Sequence, residues 1–431
     1  MRKEIAMYQF LEYGYKLEPI VRRIEEKIKD KMNEVSQLTQ YNQWRVLQAF
    51  RENQVGEHHF TPSTGYGFGD PGRSTLEQVY ADLFGTEAAI VRPQIISGTH
   101  AISACLFGLL RAGDELIYIT GKPYDSLDSV IGDHEQPERI PGSLAYHGVD
   151  YQYVPLLANG EIDYERIGQA VSKKTKVIGI QRSRGYADRP SFSISQIKEM
   201  VQFIRQLNPD IIIFVDNCYG EFVEREEPTH VGVDILAGSL IKNPGGGIVK
   251  TGGYIAGRKE LVELVGTRLF APGIGLEGGA SLYSLLEMYQ GLFLAPHVVG
   301  EALKGAIFTS AILEELGFKT NPLWNDERTD LIQSVEFGSA EKLITFCQGI
   351  QKASPIDAYV TPQPGPMPGY KDEVIMAGGT FIQGSSIEFT ADGPIRPPYL
   401  GFVQGGLTLE HVKIGILTAL NELIVKGLLE I

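Results

Sequence analysis

Residues 237–250 read AGSLIKNPGGGIVK. Lys242 follows an apolar run, residues 233–240, that reads as a buried strand, and it opens a turn made of Asn243, Pro244 and three glycines. A lysine in such a place is poorly solvated. Desolvation lowers an amine's pKa and leaves more of it neutral and nucleophilic, which suits Schiff-base chemistry with a carbonyl.

Residues 211–215 read as a strongly β-branched strand that ends in Asp216, 26 positions before Lys242. Further apolar strands are expected at 88–93, 115–119, 151–155, 176–181 and 253–256. Helices are expected at 74–86, where Ser74 and Glu77 fit a capping box, after Ser97–Gly98–Thr99, and over 194–207. Short strands alternating with helices predict an α/β fold with a mostly parallel sheet covered on both faces. Ligands of such sheets bind at the carboxyl ends of strands, and Thr99, Tyr124, Arg182, Arg184, Asp216 and Lys242 all fall just past strand ends.

With 431 residues the chain exceeds what one core usually serves. The expected division is an N-terminal helical arm (1–60), a large domain (61–297) and a smaller C-terminal α/β domain (298–431). In the arm, Ile20, Ile24, Ile28, Met32 and Val35 mark an amphipathic helix over 19–37, with a second helix over 41–52.

A net charge of −14 argues against a nucleic-acid surface, which needs a basic stripe. Cys105, Cys218 and Cys347 show neither metal spacing nor a disulfide framework. The N-terminus lacks a signal-like apolar core, and no apolar run approaches a membrane span. A cytoplasmic protein is expected. His58 and His59 are adjacent and so share no helix or strand face, and no metal is expected. A nicotinamide dehydrogenase is disfavoured because no G-x-G-x-x-G opens a helix with an acid about 20 residues on.

Lys242 and Asp216 at neighbouring strand ends are the pair that pyridoxal 5'-phosphate requires. The lysine carries the cofactor, and the carboxylate keeps its pyridine nitrogen protonated. Ser97, Gly98 and Thr99 at a helix N-terminus, with Ser239, suit the phosphate. Tyr124 suits stacking on the ring. Lys250 is a rival lysine but lacks the serine three residues earlier.

The segments VDNCYGEF and GSLIKNPGGG resemble the cofactor site of fold type I pyridoxal-phosphate enzymes, most of all the cystathionine β-lyase, cystathionine γ-synthase and methionine γ-lyase group. Together with GTHAISACLFGLLRAGDEL, KNPGGGIVKTGGYIAG and ADGPIRPPY, they are similar to the methionine γ-lyase-like, or aluminium-resistance, branch, often labelled cystathionine β-lyase. The resemblance implies a large domain with a sheet of the seven-stranded type and a smaller domain. It implies a lyase that splits carbon–sulfur bonds of a cystathionine- or methionine-type substrate by β- or γ-elimination, giving keto acid, ammonia and thiol. It also implies a homodimer or homotetramer with shared active sites, in which Tyr66 reaches a neighbour's phosphate, and places Cys218 under the ring. Two positions depart from the pattern. Phe68 stands where the loop arginine is expected, and Ile241 where a threonine precedes the lysine. Arg184 or Arg182 could replace the lost contacts or be salt-bridged. Arg396 is the candidate for the substrate carboxylate. The alternatives are aldol cleavage or transamination on the same cofactor, or a weakly catalytic cofactor-binding protein of stress response.

Overall fold

The computed structural model describes residues 8–185, 187, 189–367 and 370–431; residues 1–7, part of the N-terminus in which no signal-like run is expected, lie outside them. Seven strands form one sheet: β1 (Ala88–Arg92), β2 (Glu115–Tyr118), β3 (Asp150–Tyr153), β4 (Thr175–Gln181), β5 (Ile212–Asp216), β6 (Ile235–Ser239) and β7 (Gly253–Gly257). Their order is β1-β7-β6-β5-β4-β2-β3. Strands β2 to β6 pair in parallel, whereas β7 runs antiparallel to both β6 and β1. In register, Gln181 lies opposite Asp216 and Asp216 opposite Ala237, so the ends of β4, β5 and β6 share one edge.

The helices in chain order are α1 (Gly14–Lys27), α2 (Lys29–Glu52), α3 (Pro71–Phe84), α4 (Gly98–Leu109), α5 (Asp128–Ile131), α6 (Tyr164–Ala170), α7 (Ile194–Leu207), α8 (Lys259–Leu269), α9 (Leu285–Glu315), α10 (Ala340–Lys352) and α11 (Leu409–Val425). Adjacent strand residues face opposite sides. On the Ile255 side, α4 and α8 close over Ile90, Ala237 and Ile255. On the Tyr254 side, Tyr80 and Phe84 of α3 pack against Tyr254, with ring centroids 5.6 and 5.1 Å away.

The structure corrects two helix readings. Helix α3 starts at Pro71 and is capped by Asp70, whose carboxylate accepts from the Arg73 N–H at 2.9 Å. Ser74 instead donates to the Asp70 carbonyl, and Glu77 pairs with Arg92 inside the protein. The helix expected over 19–37 breaks at Ile28, and α2 then runs unbroken through the second expected helix.

Two compact units result, Tyr41–Ala295 and Met1–Gln40 with Pro296–Ile431. The division falls inside α2 and α9, where the sequence suggests an arm ending at 60 and a boundary at 297. The second unit carries an antiparallel sheet, β8 (Lys319–Asn321), β9 (Gln333–Glu336), β10 (Val374–Ala377), β11 (Thr390–Pro394) and β12 (Leu400–Gln404), in the order β10-β11-β12-β9-β8. Helices α10 and α11 pack so closely that a Cβ on Gly349 would lie 2.4 Å from Ala419 Cα. Helix α9 is long and apolar enough to cross a membrane by length and composition, which amends the expectation that no run approaches a span; most of its apolar window is buried in protein, as in a core helix.

Candidate active site

The site is built at the shared edge of β4, β5 and β6. Asp216, the last residue of β5, is buried, and one carboxylate oxygen accepts from the Cys218 N–H at 3.1 Å. Burial raises its pKa, and the Lys242 charge partly offsets this. Lys242 opens the turn after β6, with its Nζ 4.1 Å from the centre of the Tyr219 ring. Burial works to lower the lysine's pKa, but the surrounding groups, Cys218, Tyr219, Asp216 and Tyr124, reverse it, and the net direction is upward. The expected lowering is therefore not found in the free lysine: the groups packed around its amine outweigh desolvation. Lys250, the rival, is exposed and ion-paired with Glu287.

Ser97 caps α4 by accepting from the His100 N–H at 3.0 Å. His100 returns a contact through Nδ1, which accepts from the Ile96 N–H at 3.2 Å, the capping role its position suggests. The helix N-terminus faces the strand ends: a Cβ on Gly98 would lie 3.2 Å from Cys218 Sγ and 3.4 Å from Ser239 Cβ. Thr99 Oγ1 and the Tyr124 hydroxyl are 2.9 Å apart. Tyr124 is fixed from behind, its N–H donating to Gln181 Oε1 at 2.8 Å. Burial and the Asp216 charge push its phenol pKa up, so the hydroxyl stays protonated. Burial likewise pushes the Cys218 thiol well up, which leaves it an inert packing group.

Ser239 Oγ is buried and has no hydrogen-bond partner among the described residues. An orphaned buried hydroxyl costs about 1–3 kcal/mol. With the Gly98 cradle beside it, this is a ready place for an anionic group at a helix N-terminus.

The remaining expected residues are distributed as follows. Arg184 is fully buried in the loop after β4; the next residue, Gly185, lies against Tyr124. Arg182 is committed elsewhere, donating to Asn217 Oδ1 and the Gly220 carbonyl, each at 2.9 Å, and pairing with Glu224 at 2.7 Å. It braces the loop after Asp216. Tyr66 is 77% exposed and stacks on Phe68, with centroids 5.3 Å apart. Arg396 belongs to the other compact unit and pairs with Asp372 at 2.9 Å. His59 is buried, lies in tilted contact with His58 and accepts from the Gly56 N–H at 3.0 Å, which gives the pair a packing role.

Sequence reasoning missed Gln181, Tyr219 and Glu221. Tyr219 and Phe222 both adopt positive φ, 72° and 62°, which costs a non-glycine residue about 1 kcal/mol or more each. The loop holds this through the Phe222 N–H, which donates to Glu227 Oε1 at 2.9 Å. The bend brings the Tyr219 ring to the Lys242 amine.

The family model described as methionine gamma-lyase matches residues 17–424. The chain belongs to that family. A relative in Bacillus subtilis, the uncharacterised protein YnbB, is 58% identical over 98% of this chain and 100% of its own. A Listeria monocytogenes crystal structure, provisionally named a cystathionine beta-lyase involved in aluminium resistance, is 60% identical. It has a TM-score of 0.92 over 94% of this chain and 99% of its own. A Clostridium novyi structure described as a carbon-sulfur lyase involved in aluminium resistance is 46% identical, with a TM-score of 0.89 over 95% and 96%. The fold alone extends further, to a pyridoxal-5'-phosphate dependent Escherichia coli protein, YhfS, at 17% identity and a TM-score of 0.58, covering 90% of this chain and 96% of that one. The architecture is that of fold type I, with a seven-stranded sheet and a smaller unit bearing an antiparallel sheet.

Proposed function

We propose that this site binds pyridoxal 5'-phosphate through Lys242 and splits the carbon–sulfur bond of an amino acid by β- or γ-elimination. The observation that carries the reading is one convergence at the strand ends: Lys242 and buried Asp216 act on each other, and the α4 N-terminus at Gly98 lies against Ser239, whose hydroxyl is orphaned. Family membership and the names of the similar Listeria and Clostridium structures support the lyase class.

When bound, the cofactor supplies an electron sink for charge developing at the substrate's α-carbon. Lys242 would carry it and, once displaced by substrate, stand over that carbon to take its proton. Asp216 would hold the ring nitrogen protonated. Ser97, Gly98, Thr99 and Ser239 would hold the phosphate, with Arg184 beside them, and Cys218 would pack under the ring. Tyr124, fixed by Gln181 and Thr99, would cover the ring. Arg396 is proposed for the substrate carboxylate and Tyr66 for a second copy's phosphate, which makes the active protein a homodimer or homotetramer.

The test is to record the visible spectrum of the purified protein, then offer cystathionine, methionine and cysteine while measuring keto acid and thiol. A yellow protein that releases both products is expected. A protein that stays colourless with added cofactor would overturn the reading, and a yellow one releasing neither would overturn the elimination.

Ser239→Ala separates the hydroxyl's role from the fold. It removes a buried group with no internal partner, so thermal stability of the cofactor-free protein holds or rises by about 1 kcal/mol. Cofactor affinity falls about tenfold. Differential scanning fluorimetry and spectral titration check the two halves.

A further inference from the structure

Glu221 is fully buried five residues after Asp216, between the two left-handed residues Tyr219 and Phe222. Its backbone carbonyl accepts from Asn243 Nδ2 at 2.9 Å, and Asn243 directly follows Lys242. Its Oε1 accepts from the Tyr254 hydroxyl of β7 at 2.8 Å, while Oε2 has no partner among the described residues. The carboxyl group lies beneath β6 just short of the lysine turn: a Cβ on Gly238 would meet Oε1 at 2.7 Å. One residue thus ties the Asp216 loop, β6, β7 and the lysine turn together. No cofactor or substrate role already given uses it.

We propose that Glu221 is a positioning residue for Lys242, bracing its turn through the backbone carbonyl and setting the lysine nitrogen's hold on its proton through the charge of the buried carboxyl. The groups facing that carboxyl are Tyr254 of β7, Tyr80 of α3, Glu227 and Cys218 of its own loop region, and Lys242. Only Lys242 among them is cationic. Burial pushes Glu221 up to about 8; its own backbone N–H, the Tyr254 hydrogen bond and Lys242 oppose the rise in that order, and Glu227 adds to it. Glu221 is therefore neutral at pH 6.5 and mostly charged at pH 9. A buried negative charge near an amine raises the amine's proton affinity, and each pH unit of that rise is a tenfold change in its neutral fraction.

Glu221→Gln keeps the shape and the acceptor for Tyr254 but can never carry the charge. In protein cleared of bound aldehyde by dialysis against hydroxylamine, acetic anhydride labelling of Lys242 is followed by mass spectrometry. Wild type and E221Q are expected to label alike at pH 6.5, and E221Q about tenfold faster at pH 9, where its amine is more often neutral. Tyr254→Phe removes the bond that favours the charged carboxylate, so the pH at which its labelling departs from E221Q moves above about 8. Rates equal at both pH values, or different by the same factor at both, would overturn the charge role. In protein as purified, the band of the protonated lysine-bound cofactor should also persist to higher pH in wild type than in E221Q. This last arm rests on the cofactor reading, and the labelling does not. An absent band beside a pH-dependent labelling gap would sink that reading and leave Glu221 standing.

Discussion

Lys242→Ala removes the visible band of the lysine-bound cofactor and lowers keto-acid release on the order of 10³-fold or more, since one residue supplies both the anchor and the base. The variant has no substitute amine in Lys250, which is exposed and engaged by Glu287. Absorbance and product assays on the same preparation check both losses. Stability carries a second signature. Burial raises Asp216 above its ordinary 3.8, and Lys242 holds it down. An acid with a raised folded pKa contributes its stability fully below the unfolded value and loses it as pH rises through the folded one. Without Lys242 the folded value climbs further, so K242A loses more stability relative to wild type at pH 7 than at pH 4. Urea melts at the two pH values measure the gap.

Asp216→Asn is expected to keep the visible band but lower turnover on the order of 10²–10³-fold. The amide keeps the shape and can still accept from the Cys218 N–H, but it carries no charge to hold a ring nitrogen protonated. The loss falls on kcat, with KM changed by a few-fold at most, because Asp216 is too deeply buried to touch substrate directly. Steady-state kinetics separate the two constants. A D216N protein with wild-type kcat would remove the carboxylate from the chemistry.

Most of the main sheet was legible because short apolar runs punctuated by turns are a local signal. The direction of β7 was not, since a strand reads the same whether its neighbours run with or against it. The Asp70 cap was hidden by a serine and a glutamate at capping-box spacing. Those two residues have other uses here, Ser74 on the Asp70 carbonyl and Glu77 on Arg92. The break between units lies inside α2 and α9, where composition does not change. Lys242, Asp216, Ser97, Thr99, Tyr124 and Ser239 stood out because they fall together at strand ends and one helix start with the roles a phosphate-bearing cofactor needs, and the structure brings them together. Gln181, Tyr219 and Glu221 carried no such mark. Gln181 acts through one bond across the sheet edge, and Tyr219 reaches the lysine only because its backbone is left-handed. Glu221 looks like one more acidic surface residue until its neighbours enclose it. The raised pKa of Lys242 was missed for the same reason: a linear reading sees the apolar flanks and not the groups packed opposite.

Borohydride tests the covalent attachment of the cofactor to Lys242. Reducing the purified protein, digesting it and mapping the cofactor's mass by tandem spectrometry should place a single adduct on Lys242. An adduct on Lys250 or any other lysine, or none from a protein saturated with pyridoxal 5'-phosphate, would contradict it.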